Sequence, residues 1–232
     1  MNLKPSLKYV YEVIAIVVGI TISFMVDEWR EESQNRKETL TLLSSIKEDL
    51  TMDTITIQKA IDQFKWARKN YYFASFGRPS ILHYDSAYKY IHYLIDYLST
   101  ATLRNNGYDQ FKSTLNNPVM ENEGILKVLS EYYDESDISG INSLISDQKT
   151  RSWVLVTEMI PYFVHELDTI KELSAGEKEV YTNAVKEAFN SHVFVNKVTA
   201  NYLSTGLAIS AYQKKLDKGK ALIRLIDREV GR

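Results

Sequence analysis

The chain contains no cysteine, which excludes disulfide frameworks, thiolate metal sites and cysteine nucleophiles. Proline and glycine are scarce, with 4 and 9 copies in 232 residues, so few turn signals interrupt the chain. The net charge is only -2, so no overall basic field attracts nucleic acid. No internal repeat or low-complexity segment stands out. The length suffices for one good-sized domain or two small ones.

Motifs that carry catalysis are also missing. None of the four histidines has the spacing of a metal site, and no phosphate-binding glycine loop or G-x-S-x-G element occurs. The histidines are His83, His92, His165 and His192. The acidic run 134–137 lacks the glycine and the terminal glutamate of a calcium loop. A metal site at His83 and His92, with Asp85 and Asp96 nearby, is a weaker alternative to ordinary packing. We expect a protein that is not an enzyme and holds no cofactor.

What the chain does contain is one uncharged apolar run, VIAIVVGITISFMV, at 13–26. Fourteen helical residues rise only about 21 Å, against the roughly 30 Å hydrocarbon core of a bilayer. Extension back through Val10 and Leu7 gives about 20 residues but includes a glutamate and a lysine. Tyrosine and tryptophan flank the run, where interfacial aromatic residues belong. We predict a short tail at 1–8 and a transmembrane helix at 9–27.

Two other interpretations of the apolar run are open. The run could be a buried core helix of a soluble domain. A cleaved signal peptide is disfavoured, because no small-x-small cleavage site follows the run.

One face of the run carries small residues. Ala15, Gly19 and Ser23 are four positions apart, a spacing that lets helices approach closely in lipid. Glu12 lies three residues before Ala15, on nearly the same face. Three roles remain open for Glu12: pairing with Lys8 or reaching the interface, locking a homo-oligomer, or lining an ion path.

The orientation follows from the basic residues on either side of the run. Lys4 and Lys8 precede it, whereas Arg30, Arg36 and Lys37 follow it among acidic residues. This count is nearly balanced, but a short N-terminal tail commonly stays inside. We expect the N-terminus in the cytoplasm and the large domain outside.

Helical periodicity covers most of the remaining chain. Apolar residues recur every seven positions from Leu43 to Tyr71 and from Val195 to Ile223, which predicts long first and last helices at 28–76 and 193–230. Val198, Thr205, Tyr212 and Ile226 fill the complementary positions of the second repeat. An intermolecular coiled coil and an ordinary bundle both fit this repeat. Shorter helices are expected between the two long ones. They cover 84–98, a turn and short helix within 104–115, Glu123–Tyr133, 138–173 with an interruption at Pro161, and 177–190 after a capping box at Ser174 and Glu177.

The expected fold class is therefore all-α. One N-terminal transmembrane helix continues into an elongated antiparallel helical bundle at 28–232.

Charges suggest how the two ends of the bundle meet. If the last helix runs back towards the membrane, its basic end approaches an acidic collar behind the apolar run. The collar is Asp27, Glu28, Glu31 and Glu32, and the basic end includes Arg224 and Arg228. Contact with lipid head groups, or a solvated charged face, would explain the same charges.

The helix at 84–98 is rich in tyrosine, a residue favoured at interfaces. Tyr88, Tyr90, Tyr93 and Tyr97 form a candidate recognition surface. Half-buried packing with the hydroxyl groups reaching water is the alternative.

Two stretches, 11–32 and 35–50, resemble the start of an uncharacterised family of bacterial single-pass membrane proteins. Glu12, Gly19 and Trp29 fall on the pattern of that family, as does the K-E-D-L block at 47–50.

A second match covers 107–133, where Asn116 or Asn117 replaces the glycine usual in that family. The resemblance implies a membrane anchor and a helical domain, and it implies no catalytic activity.

We therefore expect a membrane-anchored helical interaction or scaffold protein. It would self-associate and present its bundle to a membrane or envelope protein, with its large domain outside the bacterial inner membrane. Membrane lipid and a second copy would be its other partners, and nucleic acid would not. An accessory subunit of a transport, secretion or envelope complex is the alternative. An ion path lined by Glu12 is a third.

Overall fold

The structure, a computed structural model, describes residues 5–77, 81, 83–95, 100–114, 123–133, 136–163 and 173–231. Within these ranges the chain is helical and contains no strand, which confirms the all-α class. The helices in chain order are α1 (Pro5–Phe76), α2 (Tyr84–Ile95), α3 (Asn106–Thr114), α4 (Glu123–Tyr133), α5 (Ser136–Met159), α6 (Ala175–Asn190) and α7 (His192–Val230).

Helix α1 is continuous for 72 residues and joins the apolar run to the bundle without a break. No proline or glycine lies between Gly19 and Gly77, so nothing in that stretch ends the helix. Among the described side chains of α1, the first buried one is Leu43. The predicted heptad positions from Leu43 to Tyr71 are buried, so the seven-residue repeat marks the packed face.

Helix α7 packs along α1 in the opposite direction. Lys47 forms an ion pair with Asp227, and the ring of Phe64 stacks on that of Tyr212 at 5.5 Å between centroids. In these contacts the residue number on α7 decreases as the residue number on α1 increases, so the two helices are antiparallel. At Gly219 a Cβ would lie 3.2 Å from the methyl group of Thr54, so glycine permits the close approach of the two helices.

The packed face of α7 follows the second set of predicted positions. Val198, Thr205, Tyr212 and Ile226 are buried, whereas four of the five heptad residues from Val195 to Ile223 are only half-buried. The buried face also includes polar and small residues, which a hydrophobic repeat does not reveal. Its members are Phe194, Val198, Asn201, Thr205, Ala208, Tyr212, Lys215, Leu216, Gly219, Leu222 and Ile226.

Two apolar clusters form the core along the α1–α7 pair. Helices α3 and α4 complete the cluster that contains Leu43, Ile46 and Leu50 of α1. Helices α2, α5 and α6 complete the larger cluster, which begins on α1 at Ile57. The stretch of α1 between the clusters carries the buried carboxylate of Asp53.

The connections after α5 bear on two predictions. Helix α5 ends at Met159, so the predicted helix at 138–173 is interrupted beside Pro161. A proline disfavours the helical conformation of the residue before it, and Tyr162 then adopts a left-handed φ of 60°. Residues 164–172 and 96–99 of the predicted helices lie outside the described residues. The predicted capping box is present, since Ser174 N–H donates to Glu177 Oε2 at 2.8 Å and Glu177 N–H to Ser174 Oγ.

Candidate functional site

The apolar run at 13–26 is exposed along its whole length. The exposed fraction of the side chain is 59% at Val13 and 70% at Phe24, and no described part of the chain covers them. The two hydroxyl groups of the run donate to carbonyls one turn back, Thr21 Oγ1 to Val17 at 2.8 Å and Ser23 Oγ to Gly19 at 3.0 Å. These hydroxyls therefore have acceptors within their own helix, as an apolar environment requires.

The predicted interface residues Glu12, Ala15, Gly19 and Ser23 lie on this exposed helix. A Cβ added at Gly19 would meet nothing within 4 Å, so the face is open to an approaching helix. In the described residues, no helix carries an apolar stretch of the length that a membrane crossing needs.

The structure does not bring the acidic collar and the basic end together. The end of α7 lies beside Lys47, which pairs with Asp227, and α7 extends only three residues further, to Val230. Glu32 lies fifteen residues before Lys47, about 22 Å away along a helix. The collar residues Asp27, Glu28, Glu31 and Glu32 are exposed, as are Arg224 and Arg228. Helix α7 is therefore too short for the predicted pairing.

The tyrosines of α2 do not form one exposed surface. Tyr88, Tyr90 and Tyr93 are each half-buried and pack against different neighbours. The ring centroid of Tyr88 lies 4.0 Å from that of His92, that of Tyr90 lies 6.4 Å from Phe189, and that of Tyr93 lies 4.8 Å from Trp66. Tyr97 lies outside the described residues. The three described side chains fit the packing alternative better than a shared recognition surface.

The histidines lie apart in the described part of the chain, where no group of three potential metal ligands occurs. His92 is 9% exposed and packs beside aromatic rings, whereas His83 and His192 are exposed. His165 and Asp96 are outside the described residues. Of the weaker metal-site alternative, the structure therefore describes only His83, His92 and Asp85.

The structure also contains a buried polar network that the sequence did not predict. Asp53 Oδ1 accepts a hydrogen bond from Arg104 N–H at 2.9 Å, and Asp53 Oδ2 accepts one from the hydroxyl of Tyr132 at 3.4 Å. One turn earlier, Asp49 Oδ2 accepts from Gly107 N–H at 2.8 Å. The two carboxylates of α1 therefore hold the segment that leads into α3. The sequence signal for this network was the pair of acidic residues Asp49 and Asp53, four positions apart beside the heptad repeat of apolar residues.

Burial dominates the electrostatics of this network. It raises the pKa of Asp53 from 3.8 to about 6, an effect that the hydrogen bond from Arg104 N–H reduces in part. Burial, followed by the negative charge of Asp53, raises the pKa of Tyr132. The tyrosine hydroxyl therefore stays protonated and acts as the donor.

A second set of contacts holds the same segment from the opposite side. Ala101 N–H donates to the hydroxyl of Tyr212 at 3.0 Å, and that hydroxyl donates to Asn142 Oδ1. Asn142 Nδ2 donates to the carbonyl of Ala101 at 3.0 Å. A cleft of about 540 Å³ lies beside these groups, with Tyr108, Tyr133 and Lys215 in its wall. The rings of Tyr108 and Tyr133 stack at 4.4 Å between centroids, and Lys215 Nζ donates to the carbonyl of Tyr132.

Comparison with known proteins adds no relative, since no protein-family model, curated protein or solved structure matches the chain. The resemblance at 11–50 and 107–133 therefore stays a prediction.

Proposed function

We propose that the chain is a membrane-anchored helical scaffold protein that self-associates and presents its bundle to a protein partner. The observation that carries this proposal is the uncovered apolar run at 13–26. Fourteen consecutive exposed residues without a charge form a far longer apolar surface than scattered exposed side chains produce. Insertion into lipid removes that surface from water.

The proposed anchor uses the run together with its flanks. Because the run itself rises only about 21 Å, the aromatic residues on each side have to lie in the interfacial layers. Tyr9, Tyr11 and Trp29 suit that position, since their exposed fractions are 68%, 59% and 72%. A short span is also accommodated by local thinning of the bilayer.

Self-association is proposed through the face of Glu12, Ala15, Gly19 and Ser23. The space beside Gly19 is open, and small residues allow two backbones to pack closely in lipid. Burial of Glu12 between two such helices would also remove a carboxylate from direct contact with lipid.

The remainder of the chain would act as an elongated antiparallel bundle held away from the membrane. Because α1 contains both the apolar run and the buried heptad positions, a stiff connection joins the anchor to the bundle. We place the bundle outside the bacterial inner membrane, in keeping with Lys4 and Lys8 before the run.

Anchoring is tested by alkaline carbonate extraction of membranes from cells that express the full chain. Wild type should remain in the pellet. The double variant Ile16→Asp/Ile20→Asp should move to the supernatant, because a buried aspartate costs about 3 kcal/mol near the centre of a bilayer. Val154→Asp/Val180→Asp, at two exposed positions of the bundle, is the matched control and should stay in the pellet. Extraction of wild type by carbonate would overturn the proposal.

Self-association is tested by crosslinking the full chain in detergent. Gly19→Leu should reduce the crosslinked species, because the larger side chain separates the helices. Val17→Leu, on the opposite side of the helix, should leave it unchanged. Equal crosslinking of wild type and Gly19→Leu would exclude this interface.

A further inference from the structure

The outer side of the α1–α7 pair carries a surface that the anchor and the core do not use. We name it the basic aromatic face. Its basic residues are Lys65, Arg68 and Lys69 of α1. Its apolar residues are Tyr72, Phe73 and Phe76 of α1 with Tyr202 and Ile209 of α7.

Contacts between the two helices make this face continuous. The guanidinium carbon of Arg68 lies 4.6 Å from the ring centroid of Tyr202. The same ring lies 6.0 Å from Tyr72 and 6.1 Å from Phe76. Arg68 also covers Gly206, where a Cβ would lie 2.9 Å from its guanidinium. A shallow groove between the helices is lined by Lys65, Arg68, Lys69, Tyr72, Phe73, Tyr202 and Ile209.

The aromatic members of the face on α1 are open to solvent. The exposed fraction is 49% at Tyr72, 46% at Phe73 and 56% at Phe76. Three neighbouring aromatic side chains at this exposure mark an interaction surface rather than isolated exposed residues.

Charge decides which partner suits the face. The chain has 30 aspartates and glutamates, yet neither 63–84 nor 188–216 contains one. The stretch of α1 therefore contributes only positive charge to the face, and the stretch of α7 contributes no negative charge. A second copy of the same face is disfavoured as its partner, because like charges would meet.

We infer that the basic aromatic face binds an anionic lipid surface. Lysine and arginine beside exposed phenylalanine and tyrosine suit the boundary between head groups and acyl chains. The basic groups are attracted to lipid phosphates, and the apolar groups enter the layer beneath. Burial of a few exposed apolar side chains adds to the electrostatic attraction.

The position of the face sets which bilayer it meets, and this step rests on the proposed function. Lys65 lies 39 residues after Val26 on one continuous helix, a distance of about 58 Å. The bilayer that holds the apolar run is therefore too far away along α1. The face meets a second bilayer, so the chain connects two membranes.

The test uses the full chain reconstituted in neutral phosphatidylcholine vesicles. Sucrose-loaded acceptor vesicles are added, made either of phosphatidylcholine alone or of an equal mixture with phosphatidylglycerol. Sedimentation of the acceptors then measures how much of the donor population they capture. We expect capture by the anionic acceptors only, and we expect added salt to reduce it.

Two pairs of variants locate the contact. Lys65→Glu/Lys69→Glu should lower capture at least about tenfold, since each basic residue near the surface contributes roughly fivefold. Lys149→Glu/Lys186→Glu changes the net charge equally at exposed positions of α5 and α6 and should leave capture unchanged. Phe73→Ser/Phe76→Ser should lower capture at constant charge, whereas Val154→Ser/Val180→Ser should not.

The possible results distinguish a failure of this inference from a failure of the proposed membrane anchor. Equal capture by neutral and anionic acceptors overturns the inference and leaves an acidic protein segment as the partner of the face. Equal loss in the two lysine pairs overturns it as well, because net charge alone would then explain capture. If the chain fails to stay in the donor vesicles, the anchor is wrong. Binding of the chain itself to anionic acceptors, compared between the same variants, still decides whether the face binds lipid.

Discussion

Asp53 Oδ1 accepts a hydrogen bond from the backbone N–H of Arg104 at a distance of 2.9 Å. The carboxylate is 1% exposed, and it lies between the two apolar clusters of the core. One buried acidic group thus fixes the segment at 100–105 to the longest helix of the chain. The hydrogen bond stabilises the fold, and desolvation of the charge opposes that gain.

This balance predicts a dependence of stability on pH. The pKa of Asp53 is raised from 3.8 to about 6, so the folded state binds a proton more tightly than the unfolded state. The stabilisation that comes from the raised pKa of Asp53 is fully present below pH 4 and is lost as pH rises through about 6. It amounts to at most on the order of 3 kcal/mol. Asp53→Asn should flatten this part of the profile and be no less stable than wild type at pH 7. Urea unfolding of the full chain in detergent, followed by circular dichroism from pH 4 to 7.5, measures the effect.

Glu48→Gln provides the control, because Glu48 is exposed on the neighbouring turn of α1. Its pH profile should follow that of wild type. A profile of Asp53→Asn that keeps the wild-type slope would show that another group titrates.

Substitution of Gly107 should have a second measurable effect on the stability of the chain. A Cβ there would lie 3.0 Å from the backbone nitrogen of Ile46 and 3.1 Å from Asp49 Oδ2, and backbone atoms have little freedom to move away. Gly107→Ala should therefore destabilise the chain by about 1–3 kcal/mol. Gly140→Ala is the matched control in α5, where nothing lies within 4 Å. It should stabilise the chain by about 0.5–1 kcal/mol through helix propensity. Equal stabilities of the two variants would contradict the close packing of α3 on α1.

Much of the fold could be predicted from apolar periodicity, because burial of apolar side chains on one helical face leaves a visible repeat. This reasoning located the buried face of α1. On α7 it located the buried residues at 198, 205, 212 and 226 but missed Asn201, Lys215 and Gly219, which also lie in the packed face. Polar and small residues are buried there because they fit against α1 and its neighbours, and their fit depends on contacts distant in sequence.

The candidate sites were harder to predict for the same reason. The apolar run is a local property of the sequence, so its composition identified it directly. The hydrogen bond from Arg104 to Asp53 joins residues 51 positions apart, and no local pattern specifies it. The basic aromatic face likewise depends on the register of α7 against α1. The predicted pairing of the acidic collar with Arg224 and Arg228 failed because that register ends α7 beside Lys47.

Removal of the Tyr212 hydroxyl should lower the stability of the fold. This change tests the second set of contacts of the segment at 100–105. The Tyr212 hydroxyl accepts from Ala101 N–H and donates to Asn142 Oδ1. Tyr212→Phe keeps the ring on Phe64 but leaves both partners without this hydroxyl, which should cost about 1–3 kcal/mol. Urea unfolding measures the difference. Tyr162→Phe removes a hydroxyl from a tyrosine that is 48% exposed and should change stability by less than about 0.5 kcal/mol. A Tyr212→Phe variant as stable as wild type would show that water replaces the hydroxyl.

The turn after α5 predicts a stabilising substitution. Tyr162 has a φ of 60°, a left-handed conformation that costs an L-residue other than glycine roughly 1–2 kcal/mol. Because the side chain is half exposed to solvent, its removal loses little packing. Tyr162→Gly relieves the strain, although glycine also gains entropy in the unfolded state, so we expect a net stabilisation of up to about 1 kcal/mol. Tyr162→Ala removes the same side chain without relieving the backbone and should give no stabilisation. If the alanine variant is as stable as the glycine variant, the left-handed turn contributes nothing to the end of α5.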